Sequence, residues 1–201
     1  MLTVGFLAGC GRKEQKGFER GAVENGVYRN AFFGFSMDVP QGMYIMPEEA
    51  MDSVSRAMGS LTGLNRTGES GDTAEKAAEL LLFVSREDPA AADSLFNYNI
   101  VVTSEKLPSF LGTKNNEQYM SLAIKMLEKS ASSQGGRMPA ERSQLGGRDF
   151  MKLSMGQHGM TQDIYARLQD GYALIIVGSY DGEEQKAAVD RMISTVAFSQ
   201  E

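Results

Sequence analysis

The sequence contains one cysteine and one histidine among 201 residues. A single cysteine cannot form a disulfide within the chain, so packing alone has to stabilise the fold. The histidine, His158, has no second imidazole and no spare thiol with which to build a zinc site or an activated nucleophile. We therefore expect His158 to be an exposed turn residue, and we expect no metal site, no cofactor and no enzymatic activity.

Long apolar runs and an excess of positive charge are also missing. Beyond residue 10, no stretch approaches the roughly 20 apolar residues of a membrane-spanning helix. The net charge is −6, which argues against nucleic acid as a partner, because that binding needs Lys and Arg to replace phosphate counterions. The hydrophobic fraction of 42% and the charged fraction of 23% are typical of a globular protein. These values predict one folded domain, which we place at residues 27–201.

The sequence does contain one motif, close to its first residue. An apolar run covers residues 1–8, a polar segment begins at Gly11, and between them lies the sequence Leu7-Ala8-Gly9-Cys10. This pattern resembles the lipobox of bacterial lipoproteins, in which the cysteine thiol receives a diacylglyceryl group and signal peptidase II cleaves before it. The resemblance implies that Cys10 is lipidated and that residues 1–10 comprise the remnant of a signal peptide with its lipobox. Two acyl chains anchor a protein more stably than one.

We therefore expect a lipid-anchored protein on the extracytoplasmic face of a cell membrane. The alternative is a cytosolic protein in which Leu-Ala-Gly-Cys occurs by chance, and it stays open because no Lys or Arg precedes Cys10 as in a full export signal. Residues 11–26 are rich in glycine and charge, which is typical of a flexible tether. A coil of about 16 residues reaches on the order of 20–25 Å, enough to hold the body clear of the headgroups.

The spacing of apolar residues predicts an α+β fold. Alternation at residues 33–39 predicts a half-buried strand, and Asp170-Gly171 predicts a tight hairpin. Helical spacing predicts three helices, which begin near Pro47, Asn115 and Asp181, with the last two residues as N-caps. Further strands are predicted at residues 27–30, 80–84, 97–103, 137–143, 148–155, 161–168 and 172–179. Closely linked strands favour an antiparallel sheet, so we expect about six to seven of these eight segments to form one sheet covered by three helices.

Residues 28–42 carry a family resemblance. Phe33-Gly34-Phe35 followed by Pro40-Gln41-Gly42 resembles the opening of PsbP-like proteins, a superfamily that also includes the bacterial DcrB lipoprotein group. The ending is similar too, with a buried hairpin strand, a helix and a terminal Ala197-Phe198. The resemblance implies an α/β/α sandwich around an antiparallel sheet and a role as an accessory or binding protein. Met43 and Tyr44 follow Gly42, where many relatives carry an aromatic residue directly after the glycine.

Tyr165 and Arg167 are the candidate ligand-binding residues. They alternate with three apolar residues of one predicted strand and therefore share its other face. That face is either a ligand-facing surface or the outer face of an exposed strand. For the whole protein we expect a non-enzymatic module that binds a partner protein. The alternatives are a small-ligand binding protein with a pocket beside residues 62–75, and a hydrolase that uses carboxylates such as Glu48-Glu49, Glu87-Asp88 or Glu183-Glu184.

Overall fold

The computed structural model describes residues 19–57, 78–91, 97–107, 113–130, 139–157 and 159–199. The lipobox with Cys10, the loop at 62–75 and His158 lie outside these residues, so the structure does not test the predictions that concern them. The elements, in chain order, are β1 (Ala22–Glu24), β2 (Val27–Asn30), β3 (Phe35–Asp38), β4 (Tyr44–Ile45), α1 (Glu48–Ala57), β5 (Ala78–Ser85), β6 (Asn99–Lys106), α2 (Asn116–Ser130), β7 (Ala140–Leu145), β8 (Arg148–Gln157), β9 (Met160–Gln169), β10 (Tyr172–Tyr180), α3 (Gly182–Ile193) and β11 (Ala197–Phe198).

Seven strands form one antiparallel sheet in the order β4-β5-β6-β10-β9-β8-β7. The hairpin between β9 and β10 turns at Asp170 and Gly171, which have φ angles of 50° and 81°. Both angles are positive, as a two-residue hairpin turn of this kind requires. The turn places β10 beside β9. On its other side β10 pairs with β6, so β10 is the central strand of the sheet. The α+β class, the antiparallel sheet and the three helices are confirmed.

A second sheet contains four strands in the order β1-β2-β3-β11. Its inward residues, together with those of α3, pack on one face of the large sheet in a core that includes Tyr28, Phe35, Ile176 and Val189. Helix α2 packs on β8 and β9, in a second core that includes Tyr119, Met120 and Ile164. The large sheet is therefore covered on both faces.

Helix α3 lies unusually close to β10. An ideal Cβ at Gly178 would lie 2.4 Å from Val189 Cγ1 and 3.2 Å from Ile193 Cδ1. Glycine is needed at this position because any side chain would push α3 away from the sheet.

The helix N-termini only partly follow the predictions. Asn115 caps α2, with Gln118 N–H donating to Asn115 Oδ1 at 2.9 Å. The predicted capping of α3 by the Asp181 side chain is wrong, because Asp181 makes no side-chain cap hydrogen bond. Instead its backbone N–H donates to Gln185 Oε1 at 2.9 Å, since the longer amide side chain reaches back from one turn into the helix.

Folded structure begins earlier than residue 27. β1 lies within the segment predicted as a tether and pairs with β2 from Ala22 opposite Arg29 to Glu24 opposite Val27. The turn at Asn25-Gly26 joins them, with φ angles of 52° and 74°. Among the described residues, no helix is long and apolar enough to cross a membrane.

Candidate functional site

Tyr165 and Arg167 lie on the face of β9 that is directed at the larger core. Tyr165 is opposite Lys152 of β8 and Ile176 of β10, and only 6% of its surface is exposed. The Arg167 guanidinium carbon lies 5.5 Å from the centroid of the Phe198 ring. The two residues do share a face, but it is an inner face rather than the outer face of an exposed strand.

Asp163 is the polar centre of that inner face. Its carboxylate is 2% exposed and accepts hydrogen bonds from Ser154 Oγ at 2.5 Å and from the Tyr180 hydroxyl at 3.2 Å. Lys152 Nζ lies 3.2 Å from Asp163 Oδ2 and 5.4 Å from the centroid of the Tyr165 ring. We call Asp163, Lys152, Ser154, Tyr165 and Tyr180 the Asp163 cluster. It joins three neighbouring strands of the large sheet.

The electrostatics of the Asp163 cluster keep its lysine charged. Burial works against the Lys152 ammonium, but Tyr165 and the Asp163 carboxylate outweigh it and raise the pKa of Lys152 above its usual value. Burial, and then the Asp163 charge, raises the pKa of Tyr180 as well. A lysine that holds its proton at neutral pH is a poor general base. Ser154 donates to a carboxylate rather than to an imidazole, so the cluster is better suited to holding strands together than to nucleophilic catalysis.

The start of the described chain is fixed by Arg20. Its side chain is 9% exposed, and Nη2 lies 2.6 Å from Asp52 Oδ1 of α1 and 3.0 Å from Glu79 Oε1 of β5. Glu48 Oε1 lies 3.6 Å from Nη1. Burial opposes the charge of Arg20, but the hydrogen bond to Asp52 and the nearby carboxylates raise its pKa. Arg20 therefore joins α1 to the sheet at the point where the chain enters the fold.

The backbone at this point is held by side chains of β2. The Asn30 amide donates to the carbonyl groups of Glu19 and Arg20 at 2.8 Å and 3.0 Å. The Tyr28 hydroxyl donates to the same Arg20 carbonyl. Three side-chain hydrogen bonds thus hold two consecutive peptide groups against the small sheet. We call this arrangement, together with the Arg20 ion pairs, the Arg20 clamp.

A cleft of about 960 Å³ lies between α3, the β2–β3 end of the small sheet and the β5–β6 end of the large sheet. We call it the α3 cleft. Its apolar floor includes Val39, Met43 and Met192, and its rim carries Arg86 and Arg191. A volume of this size is in the range of small-molecule sites, which combine apolar lining with a few polar groups. The sequence does not reveal this cleft, because its walls come from segments far apart in the chain.

The carboxylate pairs proposed for a hydrolase lie in ordinary surroundings. Glu48 faces Arg20, Glu87 lines the α3 cleft, and Glu183 and Glu184 lie in the first turn of α3, where the positive end of the helix dipole favours them. Within the described part of the chain, no group of three or more His, Cys, Asp or Glu side chains could hold a metal ion.

By its architecture the described part of the chain is an antiparallel α+β domain with a cleft at one end. No family model matches the sequence, and no curated protein matches it. Some solved structures are similar. Cyanobacterial PsbP (CyanoP) from Synechocystis sp. PCC 6803 is similar at 13% identity and a TM-score of 0.48, over 86% of this chain and 91% of that one.

Two other structures are similar to a lesser degree. LpqN, which is involved in cell envelope biogenesis of Mycobacterium tuberculosis, has 10% identity and a TM-score of 0.40, with 83% of each chain covered. A protein from Bacteroides thetaiotaomicron has 16% identity and a TM-score of 0.37 over 83% of this chain, which spans 46% of that protein. Similarity at this level describes a partial likeness of fold and does not assign a function.

Proposed function

We propose that this protein is a lipoprotein held on the extracytoplasmic face of a cell membrane, with a folded body that works as a non-enzymatic binding module. The observation that carries the proposal is the sequence Leu7-Ala8-Gly9-Cys10 between an apolar run and a polar segment. A small-residue pair before a cysteine suits a signal peptidase cleft, and the thiol is the group that takes the thioether-linked lipid. The rest of the chain would then be displayed on the outer side of the membrane.

The Arg20 clamp is consistent with an anchored body. A chain attached through its first residues transmits any pull on the body to the point where it enters the fold. Here that point is held by three side-chain hydrogen bonds and by ion pairs to α1 and β5. Residues 11–18 would provide the spacing between the lipid and the clamp, which is a shorter tether than the 11–26 segment expected from composition.

The binding role has a different basis. The Asp163 cluster holds its lysine protonated and its serine against a carboxylate, so it offers no activated nucleophile. The α3 cleft combines an apolar floor with charged groups at its rim, which suits recognition. A purified chain that hydrolysed an ester or a glycoside, and lost this activity when one of its carboxylates was replaced, would contradict the non-enzymatic part of the proposal.

Metabolic labelling with an alkyne fatty acid tests the anchor in a bacterial host. The wild-type chain should carry the label and sediment with membranes, whereas Cys10→Ser should be unlabelled. The matched control is Gly11→Ser, which changes the residue after the cysteine to the same new side chain and should keep the label. Recovery of the wild-type chain from the cytosol, unlabelled and with a thiol that still titrates, would overturn the proposal.

A further inference from the structure

The rim of the α3 cleft carries two arginines, Arg86 and Arg191. Arg86 follows β5 and Arg191 lies in the last turn of α3, and both line the cleft. Neither guanidinium group makes a hydrogen bond or an ion pair within the part of the chain that the structure describes, whereas Arg20 and Arg142 contact carboxylates. A guanidinium group presents a planar fork of donors that matches an oxyanion. Two such groups at one cleft are suited to binding an oxyanion.

The walls of the cleft are held in place before any ligand binds. Asp38 N–H donates to Thr195 Oγ1 at 2.9 Å, which fixes the small sheet against the end of α3. On the opposite wall, Asn97 accepts a hydrogen bond from Glu87 N–H at 3.1 Å and donates one to the Glu87 carbonyl at 2.6 Å. These contacts hold the turn that carries Arg86. Fixed walls reduce the entropy that binding would otherwise cost.

The lining of the cleft is mixed: Val39, Met43 and Met192 are apolar, whereas Tyr98 and Thr195 carry hydroxyl groups. Val39 and Met192 are 5% and 3% exposed and form its base. The Tyr98 hydroxyl donates only to the Met43 sulfur, at 3.9 Å, among the described residues. A thioether is a weak acceptor, so the hydroxyl can change to a better one at little cost. A ligand oxygen near Tyr98 would provide it, and an attached apolar group would lie on the methionines.

The carboxylates at the cleft decide how much negative charge a ligand can carry. Asp38 and Glu87 also line it, and they balance the two arginines. Asp38 and Glu87 would repel a dianionic headgroup, such as a phosphate monoester, more strongly than they would repel a single carboxylate. The charge balance therefore favours a monoanion.

We propose that the α3 cleft binds a small amphiphilic carboxylate, with its headgroup at Arg86, Arg191 and the Tyr98 hydroxyl and its apolar chain or ring on Val39, Met43 and Met192. This inference rests on the proposed role as a binding module and does not depend on the lipid anchor. The 201-residue chain with Cys10→Ser has no thiol to receive a lipid and is therefore the right protein for the test.

Calorimetric titration and thermal unfolding with octanoate test the proposal. Octanoate should bind and raise the melting temperature, since a ligand of the folded state stabilises it by mass action. Octanamide removes the charge and acetate removes the chain, so each should bind at least about tenfold more weakly. Arg86→Gln and Arg191→Gln should each weaken octanoate binding about tenfold or more, and the double variant should abolish it. Arg29→Gln, an exposed arginine outside the cleft, should leave it unchanged.

The other outcomes would overturn the proposal in distinguishable ways. Octanoate binding that neither Arg86→Gln nor Arg191→Gln weakens would place the ligand elsewhere. Octyl phosphate binding as tightly as octanoate would contradict the restriction to a monoanion. Octanamide binding as tightly as octanoate would show that the arginines do not recognise the headgroup. No response to octanoate would end the proposal even if fatty-acid labelling of Cys10 succeeded.

Discussion

The Tyr119 hydroxyl donates a hydrogen bond to Glu105 Oε2 at 2.6 Å, and both residues are almost completely buried. Tyr119 belongs to α2 and Glu105 to β6, so the contact joins the helix to the middle of the large sheet. A buried carboxylate is tolerated when its oxygens receive hydrogen bonds. Burial, and then the Glu105 charge, raises the pKa of Tyr119 well above its usual value.

Replacing this tyrosine should destabilise the protein. Tyr119→Phe removes the donor and keeps the ring, so Glu105 loses a hydrogen bond that its buried carboxylate needs, at a cost of about 1–3 kcal/mol. Urea unfolding measures the difference. Adding Glu105→Gln to Tyr119→Phe should recover part of the loss, because the amide carries no charge. A double variant that is less stable by the full sum of the two single losses would contradict a direct interaction.

The raised pKa of Tyr119 also predicts an alkaline limit of stability. The unfolded chain releases the tyrosine proton near pH 10, whereas the folded chain retains it. Because the unfolded state then binds fewer protons, the free energy of unfolding should fall as the pH rises above about 10. Chemical unfolding between pH 8 and pH 11 measures this. In Tyr119→Phe the fall should be shallower, and an unchanged slope would indicate that the proton is lost elsewhere.

The Arg20 clamp should contribute more to stability than an exposed ion pair. Arg20→Met removes charge-assisted hydrogen bonds to two carboxylates from a largely buried side chain, and we expect a loss of about 2 kcal/mol. Arg142→Met is the matched control, since Arg142 pairs with Glu117 while its side chain is 84% exposed. Its loss should be below about 1 kcal/mol. Amide hydrogen exchange should become faster in β1 only for Arg20→Met.

Gly178 should tolerate no added methyl group. In Gly178→Ala the new Cβ would overlap Val189, and forcing α3 outward should cost about 1–3 kcal/mol. Gly156→Ala is the control, because the nearest atom to a Cβ there is 4.0 Å away. Adding Val189→Ala to Gly178→Ala should restore part of the stability that Gly178→Ala loses. Equal thermal unfolding of both glycine variants would contradict the close packing.

Asp163 should contribute, beside Tyr165, to the raised pKa of Lys152. Asp163→Asn keeps the shape of the side chain but removes the charge that favours the ammonium group, so the pKa of Lys152 should fall. NMR of methylated lysines can follow this value. The stabilisation from the raised pKa is present below about pH 10.4 and lost as the pH rises through the folded value, so at neutral pH Asp163→Asn should be less stable than the wild type. An unchanged Lys152 pKa would show that Tyr165 and not Asp163 determines it.

Much of the fold could be predicted because it depends on local patterns. Apolar patterns placed most of the strands, the Asp170-Gly171 pair placed the hairpin that centres the sheet, and Asn115 marked the start of α2. The Asp181 cap was wrong because the Asp181 side chain makes no cap hydrogen bond. Gln185 binds the backbone N–H of Asp181 instead, and such side-chain reach is not visible in a spacing rule. Tyr165 and Arg167 were correctly placed on one face, but alternation does not say which face of a strand is buried.

The sequence by itself determined most of the helices and strands and their apolar faces, since these depend on neighbours within a few residues. For the same reason it shows the lipobox-like motif at Cys10, from which we propose an extracytoplasmic location. Only tertiary structure decided that β11 returns to pair with β3, that Ser154, Asp163 and Tyr180 meet across three strands, and that Arg86 and Arg191 face one cleft. These contacts join residues that are distant in the chain. They follow from strand register and helix docking, which are set by the packing of the whole core rather than by any short segment.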